Sequence, residues 1–234
     1  MKVLVACEES QEVCKAFRAL GHEAYSCDLQ ECSGGHPEWH VVGDCRHLIT
    51  ECCWICSRDP DIPDEMFGTF KTQDGKRHNL PARWDIIIAH PPCTYISNAG
   101  ARWLFTNGKL NYERWKKGRE GAEFLTYFLN APCDKIAVEN PIPSKIFHIP
   151  PYTQVIQPYE YGHPYSKKTC LWLKGLPDLQ PTEIVVEHIP YVSSGSYTKT
   201  HDPKYKGASR KGGSAKTRAK TFPGIARAMA EQWG

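Results

Sequence analysis

What most constrains this chain is a succession of short apolar runs, each cut off by a polar residue, with helical patterns between them. Lys2 to Ala6 is apolar and β-branched, and after polar Glu8 to Gln11 the residues Val13, Ala16, Phe17 and Leu20 recur at helical spacing, stopped by Gly21. Glu23 to Cys27 ends at Asp28, and His40 to Gly43 ends at Asp44. Trp84 to Ala89 is almost wholly apolar, the mark of a strand buried on both faces, and the prolines at 91 and 92 end it. Tyr112 to Leu129 keeps helical spacing through Trp115, Ala122, Leu125 and Phe128, and Lys135 to Val138 supplies a fifth strand. Strands alternating with helices predict an α/β fold built on a parallel sheet with crossover helices. Tyr152 to Gln157 and Thr169 to Leu173 read as an antiparallel edge pair that brings the sheet to seven strands. Ala219 to Trp233 reads as a terminal helix interrupted near Phe222-Pro223-Gly224.

A chain of 234 residues with 41% hydrophobic content has room for one large domain and an appendage. Its early apolar run is too short for an export signal or a membrane span, so no membrane partner is expected. The eleven cysteines are accordingly read as reduced thiols in a cytoplasm, that of a bacterial host if the gene belongs to a phage. Charge is uneven. From Ile189 to Thr221 eight basic residues face Asp202 alone, a local +7 against a formal total of +3, which leaves −4 on the remainder. The expected organisation is a core over 1–188 with an insertion at about 50–83, a basic Ser/Gly-rich arm over 189–221, and a terminal helix over 222–234 packing back on the core. The arm reads either as a phosphate-contacting segment or as a solvated linker. Tyr159, Tyr161, Tyr165 and Tyr191 near it are base-stacking candidates, or half-exposed aromatics at sheet edges.

Cys32, His36, His40, Cys45, His47, Cys52, Cys53 and Cys56 are dense enough to raise a zinc site. Cys53-Trp54-Ile55-Cys56 has no second pair at finger or ribbon spacing, so no metal is assigned. The polar residues gather elsewhere. Glu8 to Gln11, Asp28, Asp44, His90 to Cys93 and Glu139-Asn140 each follow a strand, and in parallel sheets ligands bind beyond the carboxyl ends of the strands.

Strand ends bearing, in order, Asp28, Gly43-Asp44, Pro91-Pro92-Cys93 and Glu139-Asn140 resemble the motifs of the S-adenosylmethionine-dependent DNA cytosine 5-position methyltransferases. The chain looks most like the short phage-type members, including the tail Lys220 to Ala226. The resemblance implies a mostly parallel, seven-stranded, Rossmann-like sheet with flanking helices, and S-adenosylmethionine as cofactor. It makes Cys93 the nucleophile and Glu139 the acid, with Asn140 orienting the base or bracing the Cys93 loop. Asp28 takes the position of the ribose ligand, with Leu29 beside it, and Asp44 that of the adenine reader, with Cys45 beside it. Ala6, Cys7 and Glu8 occupy the first cofactor loop. Ser10 and Gln11 would serve the methionine portion through side chains and helix N-terminal amides, and His90 and Pro91 border the same cleft. The family's glycine-rich loop is here Ala6-Cys7-Glu8-Glu9-Ser10, its Gln after the nucleophile is Thr94, and Pro141 follows Glu-Asn. Its basic Gln-x-Arg-x-Arg element is echoed by Ser166-Lys167-Lys168. Lys167 and Lys168, with Lys199, Lys204, Lys206, Arg210 and Lys211 of the arm, are the candidate DNA contacts. No separate recognition domain intervenes, so specificity is expected to be low or supplied by a second subunit or partner.

The chemistry suits those residue types. Cytosine carbon 5 becomes nucleophilic only after a soft nucleophile adds at carbon 6, which a thiolate does well. The charge then developing on ring nitrogen 3 calls for a carboxylic acid, and partial burial would raise the Glu139 pKa toward that role. The base that takes the carbon 5 proton is open between a water and His90. Also open are a duplex, single-stranded or free-nucleotide substrate, methylation of an exocyclic amine instead, and a catalytically silent nucleic-acid-binding relative.

Overall fold

The computed structural model describes residues 1–49, 68–81, 83–101, 103–191 and 218–234. Seven strands form the central sheet: β1 (Lys2–Ala6), β2 (Glu23–Asp28), β3 (His40–Val42), β6 (Ile86–Ala89), β9 (Ile136–Pro141), β10 (Gln154–Ile156) and β12 (Thr169–Lys174). Their order is β10-β12-β9-β6-β1-β2-β3. β3, β2, β1, β6 and β9 run parallel, and β12 is antiparallel to both β9 and β10. The described residues also form four α-helices and three small two-stranded pairs, namely α1 (Glu12–Ala19), α2 (Asn98–Ala101), α3 (Tyr112–Leu129) and α4 (Pro223–Trp233), with β4 (Thr69–Lys71) on β5 (Arg77–Asn79), β7 (Phe105–Thr106) on β8 (Lys109–Leu110) and β11 (Tyr165–Ser166) on β13 (Ile189–Pro190). The expected parallel sheet with an antiparallel pair at one edge is present.

Strand periodicity divides the core. Val3 and Val5 of β1 point with Ile86 and Ile88 of β6 to the face covered by α1 and α4, where Val13, Phe17, Met229 and Trp233 pack. Leu4, Ala6, Ile87 and Ala89 point to the other face, under Leu125 and Phe128 of α3 and beside Trp84. Both faces are therefore covered, as an almost wholly apolar β6 demands. Strand β6 begins two residues later than the apolar run suggests, because Trp84 turns aside to donate its indole N–H to the Leu48 carbonyl at 2.6 Å. The terminal helix starts at Pro223, the first-turn position where proline's missing N–H costs nothing. It packs against α1, so the end of the chain closes back on the first crossover.

The described part of the 50–83 insertion is the β4–β5 hairpin, whose Phe70 and His78 rings pack on Tyr25, at 4.9 and 5.1 Å. Cys52, Cys53 and Cys56, and the arm residues Lys199, Lys204, Lys206, Arg210 and Lys211, lie outside the described residues. Tyr161 is a core residue rather than a stacking surface: it is buried, with its hydroxyl donating to the Leu179 carbonyl. No described helix is long and apolar enough to cross a membrane.

One position in α3 sets propensity against packing. Alanine is favoured over glycine by about 1 kcal/mol in a helix interior. At Gly118, however, a Cβ would lie 2.1 Å from Cζ of the buried Phe147 ring. Overpacking of that kind costs about 1–3 kcal/mol. Gly118→Ala is expected to lower the thermal unfolding midpoint, and adding Phe147→Leu to recover part of the loss. A raised midpoint in the single variant would mean that the Phe147 loop yields freely.

Candidate active site

The strand order reverses direction between β1 and β6, which pair in register with Ala6 opposite Ala89. The two loops leaving these strands consequently diverge from one point, the place where parallel sheets hold ligands. His90 continues from β6 with its amide donating to the Ala6 carbonyl at 2.9 Å. Pro91, buried, and Pro92 follow, and then half-buried Cys93. Strand β9 lies on the other side of β6 and ends in Glu139, Asn140 and Pro141.

Two hydrogen bonds join the Cys93 loop to the end of β9. Asn140 Nδ2 donates to the Pro91 carbonyl at 2.6 Å, which fixes the loop one residue before the second proline. His90 Nδ1 lies 2.8 Å from Glu139 Oε2, with both side chains about one-tenth exposed. Burial by itself would push the Glu139 carboxyl up, but the hydrogen bond and charge of His90 hold it below the ordinary glutamate range. Burial likewise opposes a charged His90, and Glu139, with a smaller contribution from Glu8, raises it above the ordinary histidine value. The expected upward shift of Glu139 is thus reversed by a partner 49 residues away in sequence. Cys93 is pushed up by burial and by the charge of Glu139, with Lys167 pulling the other way. Two buried polar atoms here have no partner among the described residues, His90 Nε2 and Asn140 Oδ1. An unmet group of this kind costs about 1–3 kcal/mol, and such groups collect where ligands bind.

The cofactor side is more divided. Asp28 Oδ1 accepts from the Gln30 amide at 2.9 Å, and its other oxygen makes no hydrogen bond to a described residue. Leu29 beside it is 77% exposed. Cys7 adopts φ 58° and Gln11 φ 60°, left-handed conformations that usually select glycine. The first loop therefore follows a glycine-type path without glycine. Other expected ligands are already engaged. Glu8 is buried and accepts from the Val13 and Cys14 amides at 2.7 and 3.2 Å, so two N-terminal amides of α1 are closed off by a side chain. Gln11 bonds Ser26 Oγ, the His36 carbonyl and the His36 amide, a bracket that holds the loop before β3. Ser10 is buried beside it, its carbonyl close against Gly34. Asp44 caps the turn at Cys45–Leu48 and pairs with Arg46, whose Nε lies 2.9 Å from its Oδ2. Cys45 is buried with its sulfur 4.0 Å from that of Cys7. Among the described residues no three His, Cys, Asp or Glu side chains are placed to hold a metal ion.

Of the basic candidates, Lys168 is exposed and Lys167 faces the site electrostatically, with its Nζ donating to the Arg218 carbonyl at 2.9 Å. The Tyr191 and Phe222 rings meet at 4.9 Å, so the two flanks of the 192–217 segment come together beside Lys167. Sequence reasoning missed the His90–Glu139 pair and the tether formed by Arg114, whose guanidinium donates to the Gly100 and Thr94 carbonyls at 3.0 and 3.4 Å. Arg114 leaves no local signal, whereas His90 is visible as a titratable residue directly after a buried strand. No protein-family model matches the chain, and no curated protein matches it.

The buried pair makes stability depend on pH with a definite sign. The Glu139 contribution is complete above its unfolded pKa of about 4.5 and is lost as pH falls through its lowered folded value. The His90 contribution is complete below about 6.5 and is lost as pH rises through its raised folded value. Glu139→Gln is therefore expected to reduce the unfolding midpoint most between about pH 4.5 and 6.5, with the difference from the native chain shrinking on the alkaline side. A difference independent of pH across thermal melts would show that the two groups do not share charge.

Proposed function

We propose that the chain transfers a methyl group from S-adenosylmethionine to carbon 5 of cytosine in DNA, on a Rossmann-like sheet of the kind the motif order implies. The observation that carries this reading is the double tie between the Cys93 loop and the end of β9, which holds a half-buried thiol and a buried carboxylate on one side of the strand-order switch. Two ordered dipeptides that the sequence separates by 45 residues are thereby brought to one cleft. Asp28 and Leu29 fit an adenosine, the first through a carboxylate oxygen open to a ribose hydroxyl and the second as an exposed apolar contact at the end of β2. When bound, the cofactor would supply an electrophilic methyl group.

The chain's own residues divide the remaining work. Asn140 and the prolines hold the Cys93 loop in place. Cys93 forms the bond to carbon 6, and Glu139 meets ring nitrogen 3. Burial, which keeps Cys93 protonated in the free protein, also removes water from the thiolate once formed. Lys167 contributes positive charge opposite them, beside the roots of the basic arm. A target base inside a duplex has to be flipped out to reach so enclosed a thiol.

A second reading, a nucleic-acid-binding chain without catalysis, draws on the closure of the α1 amides by Glu8 and of Asp44 by Arg46. Calorimetry separates the two. S-adenosylmethionine should bind, and Asp28→Ala should weaken it about ten- to hundred-fold, the range for loss of charge-assisted hydrogen bonds. No measurable binding would favour the silent reading.

The nucleophile is tested covalently. Cys93→Ser should abolish formation of 5-methylcytosine while leaving cofactor affinity within about threefold, since the serine hydroxyl is a far weaker nucleophile at neutral pH. DNA containing 5-fluorocytosine should trap the native chain as an adduct detectable by mass. Full activity in Cys93→Ser would overturn the assignment.

A further inference from the structure

The assigned chemistry needs a proton at ring nitrogen 3 when the thiolate adds, yet the group that meets nitrogen 3 is held as a carboxylate. Glu139 is buried with its Oε2 2.8 Å from His90 Nδ1. The hydrogen bond and charge of His90 hold that carboxyl low against its burial, which favours the proton on the imidazole side while the site is empty. The His90 ring is enclosed where it stands, its side chain being about one-tenth exposed, and the main chain beneath it is held by the bond from its amide to the Ala6 carbonyl. Its Nε2 is buried with no partner among the described residues, so Glu139 is the one described group within hydrogen-bond distance of its ring nitrogens.

Resting on the methyl-transfer reading above, we propose that His90 is a positioning residue that stores the proton of the reaction and delivers it through Glu139 to ring nitrogen 3 of the cytosine. The step balances without a further reagent. Once Cys93 has lost its proton to solvent, its thiolate forms the sulfur bond to carbon 6 and the displaced π electrons collect on nitrogen 3. The His90 Nδ1 proton moves to the Glu139 carboxylate, and from the carboxyl group nitrogen 3 is protonated. Imidazole is left neutral, Glu139 is again a carboxylate, and the adduct is uncharged. After carbon 5 has been methylated and its hydrogen has left to water, the nitrogen 3 proton returns through Glu139 to His90 as the carbon–sulfur bond breaks and the thiolate departs. The pair is then as it began, and the thiolate regains from solvent the proton it had lost.

The charged groups around His90 suit such a store. Glu139 approaches from β9, Glu8 from the loop after β1 and Lys167 from the segment before β12. Burial and Lys167 oppose the imidazolium, while Glu139, with a smaller contribution from Glu8, whose own carboxyl burial pushes up, outweighs them, so the proton is held in the free protein but remains transferable when negative charge appears on the ring. A carboxylic acid alone, kept neutral by burial, would do the same work with one group; here the proton sits one residue further from the substrate.

The test is made on the native chain by nitrogen NMR of the His90 ring. The imidazole is expected to be charged in the free protein near neutral pH and neutral in the covalent adduct with 5-fluorocytosine DNA, where nitrogen 3 has taken the proton and carbon 5 cannot release fluorine. A ring charged in both states, or neutral in both, would overturn the proposal. If no adduct forms and no 5-methylcytosine is made, the methyl-transfer reading itself fails, a result distinct from an adduct in which His90 keeps its charge. His90→Gln can still hydrogen-bond Glu139 but cannot supply a proton. It should lower single-turnover methylation about 10²-fold or more at saturating cofactor and change the shape of the pH–rate profile. A Gln variant with the native profile would assign His90 a structural role only. Should that variant fail to fold, the two-state comparison in the native chain decides.

Discussion

The pairing of β1 with β6 is the constraint from which the site follows. Because these two neighbours lead to crossovers on opposite sides, their following loops separate and leave a crevice above Ala6 and Ala89. Every polar group of the candidate site is placed relative to that crevice. Cys7, Glu8 and Gln11 leave one wall, His90 and Cys93 leave the other, and β9 stands next to β6 with Glu139 and Asn140 at its end. The sheet can hold these positions because both its faces are covered by close-packed side chains, and a packed core transmits little slack to a strand end.

Within the crevice, polar groups divide into those that build the loops and those that keep an unused hydrogen-bonding atom among the described residues. Glu8, Gln11 and Asp44 belong to the first group. Each offers hydrogen bonds to backbone groups that no helix or strand satisfies, and a buried amide without a partner costs more than an acid loses by serving it. Their engagement also explains how the first loop does without glycine. Cys7 and Gln11 take left-handed conformations, and the side-chain bracket from Gln11 to His36 and Ser26 offsets the strain of holding them. Asp28, His90 Nε2 and Asn140 Oδ1 belong to the second group, with Leu29 an exposed apolar neighbour of Asp28.

The His90–Glu139 pair links the fold to the chemistry. A lone buried carboxyl would be driven toward its neutral form, whereas a buried carboxylate beside an imidazolium is held charged. The same side chain at the same strand end therefore starts in a different protonation state depending on what the neighbouring strand carries. That dependence is why Glu139 could be located from its motif while its charge could not.

The order of strands and helices was legible in the sequence because it rests on local periodicity. Lys2 to Ala6, the α3 stripe through Trp115 and Phe128, and the edge pair before and after residue 160 all follow from which residues must be buried. Candidate residues at strand ends followed as well, since polar residues after apolar strands gather on one side of a parallel sheet. What the tertiary structure alone decided is the partner of each. Asp44 was equally suited to a ligand and to Arg46, Glu8 to a cofactor and to the amides of α1, and Tyr161, read as a base-stacking or sheet-edge ring, lies in the core. Those choices depend on contacts between residues far apart in the chain, and hydrogen bonding and desolvation act through space with no trace in local spacing.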